Sequence, residues 1–221
     1  MRTLLATAAL LALDALPSAA GEIAIEAHVG YFDMSAQKSA RALFGSSGGA
    51  IYGGGMRYSF WRGAFASFGV RSFSKDGERV FLISAGSPIQ KLGFPISLNL
   101  TPFVVSAGYR FRDGALIVPY ASVGAAITSY SEQSDVAGQS LDDQGSKTGF
   151  IGAAGVEVGR GLFRFGAEAG YSTVSGVVGL GGVSKIYGED DIGGFHAIGK
   201  LIVAFGGKPK ATKPQPKTAK P

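Results

Sequence analysis

The sequence predicts an all-β chain folded as an eight-stranded antiparallel up-and-down transmembrane β-barrel. Three observations predict it. Apolar and polar residues alternate with period 2 through most of the chain after residue 22. The connections between the alternating segments are short and long in turn. One face of each segment is bulky and apolar, while the other is small with a few charges.

The segments run as follows. In "EIAIEAHVGY", Ile23, Ile25, Ala27, Val29 and Tyr31 share a face, with Glu26 and His28 opposite. "IYGGGMRYSF" sets Tyr52, Met56, Tyr58 and Phe60 against Gly53, Gly55, Arg57 and Ser59. "FASFGVRS" sets Ala66, Phe68 and Val70 against Ser67, Gly69 and Arg71; Phe65 and Phe73 fall on the Arg71 face, so a bulge or an end effect is expected there. "TPFVVSAGYRF" carries Phe103, Val105, Ala107, Tyr109 and Phe111 against Arg110. "PYASVGAAIT" sets Val123 and Ile127 against Tyr120 and Ser122, and "FIGAAGVEV" sets Phe150, Val156 and Val158 against Glu157. "LFRFGAEAGYS" sets Phe163, Phe165 and Tyr171 against Arg164 and Glu168. "FHAIGKLIVAF" closes the set, with Phe195, Leu201, Val203 and Phe205 against His196 and Lys200.

"WRGA", "RDGA" and "GRGL" are tight turns with glycine where a positive φ is needed. The other connections, about 33–49, 74–95, 131–147 and 173–194, are long and polar or Gly/Ser-rich; "SAQKSARALFG" can form a short helix in the first. The 35 glycines fit this pattern, since glycine weakens helices but permits turns and close backbone approach.

Periodicity does not say which face is inside; volume does. An eight-stranded barrel has room only for side chains. Glycine, serine and a charge network of Glu26, Arg57, Arg71, Arg110, Glu157, Arg164, Glu168 and Lys200 suit that bore, with Glu157 and Glu168 facing Arg57, Arg110, Arg164 or Lys200. The apolar face then meets lipid. Tyr52 and Phe60 are eight residues apart, as are Phe163 and Tyr171. At about 3.4 Å per residue and a tilt of about 40° this is roughly 21 Å of height, near the ~25 Å band between aromatic girdles. Tyr52, Phe60, Trp61, Tyr109, Phe111, Phe163, Tyr171 and Phe205 are the expected membrane-interface aromatics.

"MRTLLATAALLALDALPSAAGE" reads as a secretory signal peptide over residues 1–21. The barrel is expected over 22–205 and a disordered Lys/Pro-rich tail over 206–221. The net charge of +5 comes from that tail, whose lysines are Lys208, Lys210, Lys213, Lys217 and Lys220; no nucleic-acid partner follows from it. With no cysteine, thiolate metal sites, a Cys nucleophile and a disulfide scaffold are excluded.

Catalysis and cofactors are not predicted. His28 and His196 read as structural residues of the bore, and "GFIGAAG" lacks the lysine of a phosphate loop. Asp142, Asp143, Glu189, Asp190 and Asp191 read as solvated loop charge, with divalent-cation binding the sharper alternative.

The chain resembles the small eight-stranded OmpA-like and OmpX-like outer-membrane β-barrel domain proteins over about residues 22–205. The resemblance rests on the leader, the eight alternating segments, the "RDG" turn, the strand end "SAGYRF" and a last strand ending in Phe205. It implies a bacterial outer-membrane location with both termini in the periplasm. It also implies the lipid bilayer as partner, recognition of the last strand by the barrel-assembly machinery, and long loops that contact an extracellular ligand or host surface. The tail is then placed for weak contact with peptidoglycan or inner-leaflet headgroups. A structural or surface-interaction role with a filled lumen is the leading reading. A narrow pore for small solutes or ions is the alternative, and a barrel enzyme and a soluble lipocalin-like carrier stand behind it.

Overall fold

The computed structural model describes residues 21–136, 139–176, 178 and 182–206. The predicted leader, except Gly21, and the tail beyond Gly206 lie outside the described residues. Eight strands form a closed antiparallel barrel in chain order. They are β1 (Glu22–Met34), β2 (Gly48–Trp61), β3 (Ala64–Phe81), β4 (Gln90–Arg110), β5 (Ile117–Val136), β6 (Gln139–Val158), β7 (Phe163–Thr173) and β8 (Gly194–Gly206). Closure comes from β1 on β8, paired from Glu22↔Gly206 to Met34↔Gly194. Within the closed ring no strand has a free edge; beyond it, residues 74–81 of β3 and 139–149 of β6 pair on one side only.

Two short helices sit in the long connections: α1 (Gln37–Phe44) between β1 and β2, and α2 (Gly182–Tyr187) between β7 and β8. The sequence signals the first. The second has only six residues and no alternating or capping signature of its own.

Two of the four long connections are not loops. β3 and β4 stay paired out to Phe81↔Gln90, and β5 and β6 out to Val136↔Gln139. These segments were expected to be polar loops over 74–95 and 131–147. They are ribbons because a two-stranded ladder pairs the facing backbone groups and leaves the outward ones to water, even where both faces are wet. A membrane strand needs only about 9–11 residues, so the 20-residue β5 and β6 are about twice as long as a bilayer crossing requires.

Alternation is regular but changes its sense along the strands. In β4, Phe103, Val105 and Tyr109 point outward and are exposed, whereas Ile96, Leu98 and Leu100 point inward and are buried. In β1, Val29 and Tyr31 face out while Phe32 and Met34 face in. The lower half of the barrel is thus apolar outside and polar inside. The upper half is built the other way, like a water-soluble protein.

Phe65 and Phe73 correct the sequence reading. No bulge displaces them: β2 pairs with β3 without interruption from Ile51↔Phe73 to Ser59↔Phe65. Both rings point into the barrel and are buried. Phe65 meets Tyr120 edge-on at 6.2 Å, and Phe73 meets Phe32 edge-on at 5.0 Å. The bore accepts aromatics because glycines make room beside them. A Cβ on Gly155 would stand 2.7 Å from the Tyr120 ring and 2.4 Å from the Ala167 carbonyl.

Candidate functional site

All eight strands contribute to one ion-pair ladder along the lower bore. At the short-turn end, Glu22 accepts from Arg164 at 2.8 and 2.5 Å and from Arg110 at 3.1 Å. Arg110 continues to Glu157 at 3.1 Å, and Glu157 also accepts from Arg57. Arg57 lies 3.2 Å from Glu26, which meets Lys200 at 3.2 Å. Lys200 donates to Glu168 at 2.5 Å, and Glu168 accepts from Arg71 and from the Tyr120 hydroxyl, each at 2.9 Å. Every carboxylate therefore touches at least two cations. That is the condition under which buried charge is tolerated.

The eight predicted bore residues, Glu26, Arg57, Arg71, Arg110, Glu157, Arg164, Glu168 and Lys200, all take part in this ladder. Glu157 collects Arg57 and Arg110, with Arg164 at 3.9 Å; Glu168 collects Arg71 and Lys200. Sequence reasoning missed Glu22 and Tyr120 as members. Glu22 shares the phase of Glu26 four residues on, and that was the available signal. His28 and His196 lie in the bore, each beside a glutamate: Glu26 at 3.2 Å and Glu168 at 3.4 Å. Neither pairs with a serine hydroxyl among the described residues. Two aromatic faces underlie the cations: Phe65 5.5 Å from Arg57 and Tyr120 5.2 Å from Lys200.

The eight predicted interface aromatics, Tyr52, Phe60, Trp61, Tyr109, Phe111, Phe163, Tyr171 and Phe205, are all exposed on the outer surface. Tyr171 also reaches the Ser35 hydroxyl at 2.7 Å, at the opposite end from the short turns.

Above the ladder lies an apolar layer of Phe32, Ile51, Phe73, Leu100, Val174 and Ile198. Above that is a cavity of about 390 Å³, walled by Met34, Leu43, Phe44, Leu98 and Ile192 and edged by Arg79, Glu132 and Asp143. Burial pushes the Glu132 carboxyl up, while Arg79, 3.8 Å away, pulls it the other way.

The two helices over this cavity are tied together by Glu189, which follows α2 and reaches α1. Ala36, at the head of α1, offers no side-chain cap. Glu189 does so instead, accepting from the Lys38 amide at 2.9 Å and from the Ser39 amide and hydroxyl at 2.8 and 2.7 Å. Asp191 accepts from the Val174 and Gly193 amides at 2.6 and 2.7 Å. Glu189 thus caps α1 and Asp191 ties the Val174 and Gly193 amides together, where solvated loop charge was expected. Glu189→Ala is expected to raise amide exchange at Lys38 and Ser39 roughly tenfold, the loss of about 1–2 kcal/mol of capping. Exchange at Ile198 and Ile202 should stay unchanged; uniform acceleration would show that Glu189 supports the whole barrel rather than α1.

No protein-family model matches the chain, and neither does any curated protein. Solved structures do match. The crystal structure of the outer membrane protein OprG from Pseudomonas aeruginosa is 13% identical, with a TM-score of 0.55, covering 86% of this chain and 97% of OprG. The crystal structure of Ail, the attachment invasion locus protein of Yersinia pestis, in complex with the heparin analogue sucrose octasulfate is 16% identical, with a TM-score of 0.50. It covers 84% of this chain and 99% of Ail. Together with the closed eight-stranded ring and its filled bore, these likenesses give the chain the fold of the small outer-membrane β-barrels.

Proposed function

We propose that this chain is an integral outer-membrane barrel with a closed lumen, whose elaborated end meets partners outside the cell. The observation that carries this reading is the reversal of the apolar face along β4. Outward Phe103 and Val105 give way to inward Leu100, Leu98 and Ile96 within a few residues. A sheet in one solvent keeps its apolar side; a reversal is what a strand needs when it leaves lipid for water. In this reading residues 1–21 are a removed signal, the short turns and both termini lie in the periplasm, and β8 is delivered to the barrel-assembly machinery. The tail 206–221 then sits on the peptidoglycan side.

The ladder and the Phe32–Phe73 layer both fill the described bore with buried side chains, which favours a structural and interaction role over a pore. The segments 33–49, 74–95, 131–147 and 173–194 hold more carboxylates than lysines and arginines. The outer end therefore suits a neutral or cationic partner better than a polyanion such as the one bound to Ail.

The membrane placement is tested at Val105, 55% exposed and four residues above Tyr109 in the girdle. Val105→Arg should cost about 2–4 kcal/mol of unfolding free energy in lipid vesicles, the depth-dependent penalty for arginine on a lipid face. An exposed site in water would show within about 0.5 kcal/mol, and that result would sink the placement. Planar-bilayer recordings test the lumen: stable unitary currents would replace the closed barrel with the pore.

A further inference from the structure

Each of the three short turns carries an arginine: Arg62 after β2, Arg112 after β4 and Arg160 after β6. All three are exposed. None has a carboxylate within ion-pair distance among the described residues; the one acid of these turns, Asp113, is held by Arg110 at 3.1 Å. Residues 22–205 carry 15 acidic and 15 basic groups with these three arginines included, so the acids that balance them lie elsewhere in the barrel and this end is a small positive rim.

Two of these arginines also sit where the backbone disfavours them. Arg62 and Arg112 have φ of 43° and 58°, in the left-handed region that glycine occupies at no steric cost. Neither side chain makes a hydrogen bond that would explain the choice. Arg62 instead lies over the Trp61 ring at 5.4 Å. Exposed Phe60, Phe111, Leu162 and Phe163 surround the rim. The Arg62 guanidinium thus stands beside an amphipathic indole, with exposed phenyl rings at the same end, at the level where a bilayer's phosphates would lie.

We propose that Arg62, Arg112 and Arg160 form a binding rim for the phosphates of anionic phospholipid headgroups. The inference rests on the membrane placement above. A guanidinium takes two phosphate oxygens at once. A zwitterionic headgroup brings its own cation to this already positive rim; an anionic one does not. Each arginine near such a surface favours anionic lipid by roughly fivefold, and three together by on the order of 100-fold.

Trp61 makes the test direct, because it is the only tryptophan in the chain and adjoins Arg62. The full chain is reconstituted in phosphatidylcholine vesicles containing a minor fraction of brominated phosphatidylglycerol or brominated phosphatidylcholine, and quenching of Trp61 is compared. Brominated phosphatidylglycerol should quench well beyond its mole fraction, and the excess should fall with salt. Arg62→Gln/Arg112→Gln/Arg160→Gln should remove the excess. Arg62→Gly/Arg112→Gly should reduce it by more than tenfold while the barrel unfolds at the same or a higher urea concentration, which separates headgroup binding from folding. Equal quenching by the two lipids would overturn the rim while leaving the membrane placement intact. No quenching by either, from a barrel that is folded, would overturn the placement and the rim with it. Loss of the excess on adding sodium phosphate at constant ionic strength would make free phosphate the ligand and overturn the lipid assignment.

Discussion

Replacing Glu157 with alanine is expected to cost the barrel about 3–5 kcal/mol, the usual penalty for stripping one partner from a buried ion pair. Glu157 is 1% exposed and, among the described residues, is the only carboxylate that pairs with both Arg57 and Arg110. Without it Arg57 keeps Glu26, and Arg110 keeps Glu22 and the exposed Asp113. Two guanidinium groups would then face each other across a site with too little negative charge. Urea unfolding in vesicles, followed by Trp61 fluorescence and by unheated gel mobility, reads the loss directly.

The control is what gives that experiment meaning. Arg57→Met/Glu157→Met removes both charges and keeps volume, and pairs exchanged in this way are often close to neutral. It should cost less than the sum of the two single replacements, by a coupling of about 1–3 kcal/mol between the two positions. The ladder would then be credited with fixing register among eight strands rather than with net stability. If Glu157→Ala costs under 1 kcal/mol, water must reach these arginines, and the bore is wet enough to reopen the pore reading.

How far the sequence could foresee this arrangement differs between the two halves of the molecule. In the lower half, one face is apolar and outward and the other fills a narrow bore, so period-2 alternation carries most of the information. Arg57, Glu157 and Glu168 were legible from phase as sharing a face with the small residues, and as inward once the narrow bore was set against the bulk of the other face. Their pairing was legible only as a choice among partners, because the stagger between strands sets which levels meet. In the upper half both surfaces of β5 and β6 meet water, and the alternation that marks a strand fades into Ser, Gln and Asp. "PISLNL" does alternate, with Ile96, Leu98 and Leu100 in phase, but in the sense opposite to Phe103 and Val105. Read as a continuation it breaks the pattern; read as a second solvent it completes it. The Glu189 cap on α1 spans 150 residues and leaves no local trace.

Phe73→Ala is expected to cost about 3–5 kcal/mol, the range for deleting a fully buried phenyl. The ring is 1% exposed, packs edge-on against Phe32 and belongs to the layer between the ion-pair ladder and the cavity above. Its loss forfeits transfer and aromatic contact energy and leaves a void that closed strands cannot collapse to fill. Phe73→Leu should lose far less, since most of the volume is kept. The contrast separates packing from chemistry: a soluble-style core demands bulk at this level, whereas a water-filled vestibule would be indifferent to it. Equal small losses in both variants, below about 1 kcal/mol, would mean that water already occupies this level. Losses of the predicted size would show that the barrel is sealed twice, by charge below and by hydrocarbon above. Each seal uses the side chains its surroundings permit: ions where the outer wall must be apolar, and aromatics where the outer wall is already in water.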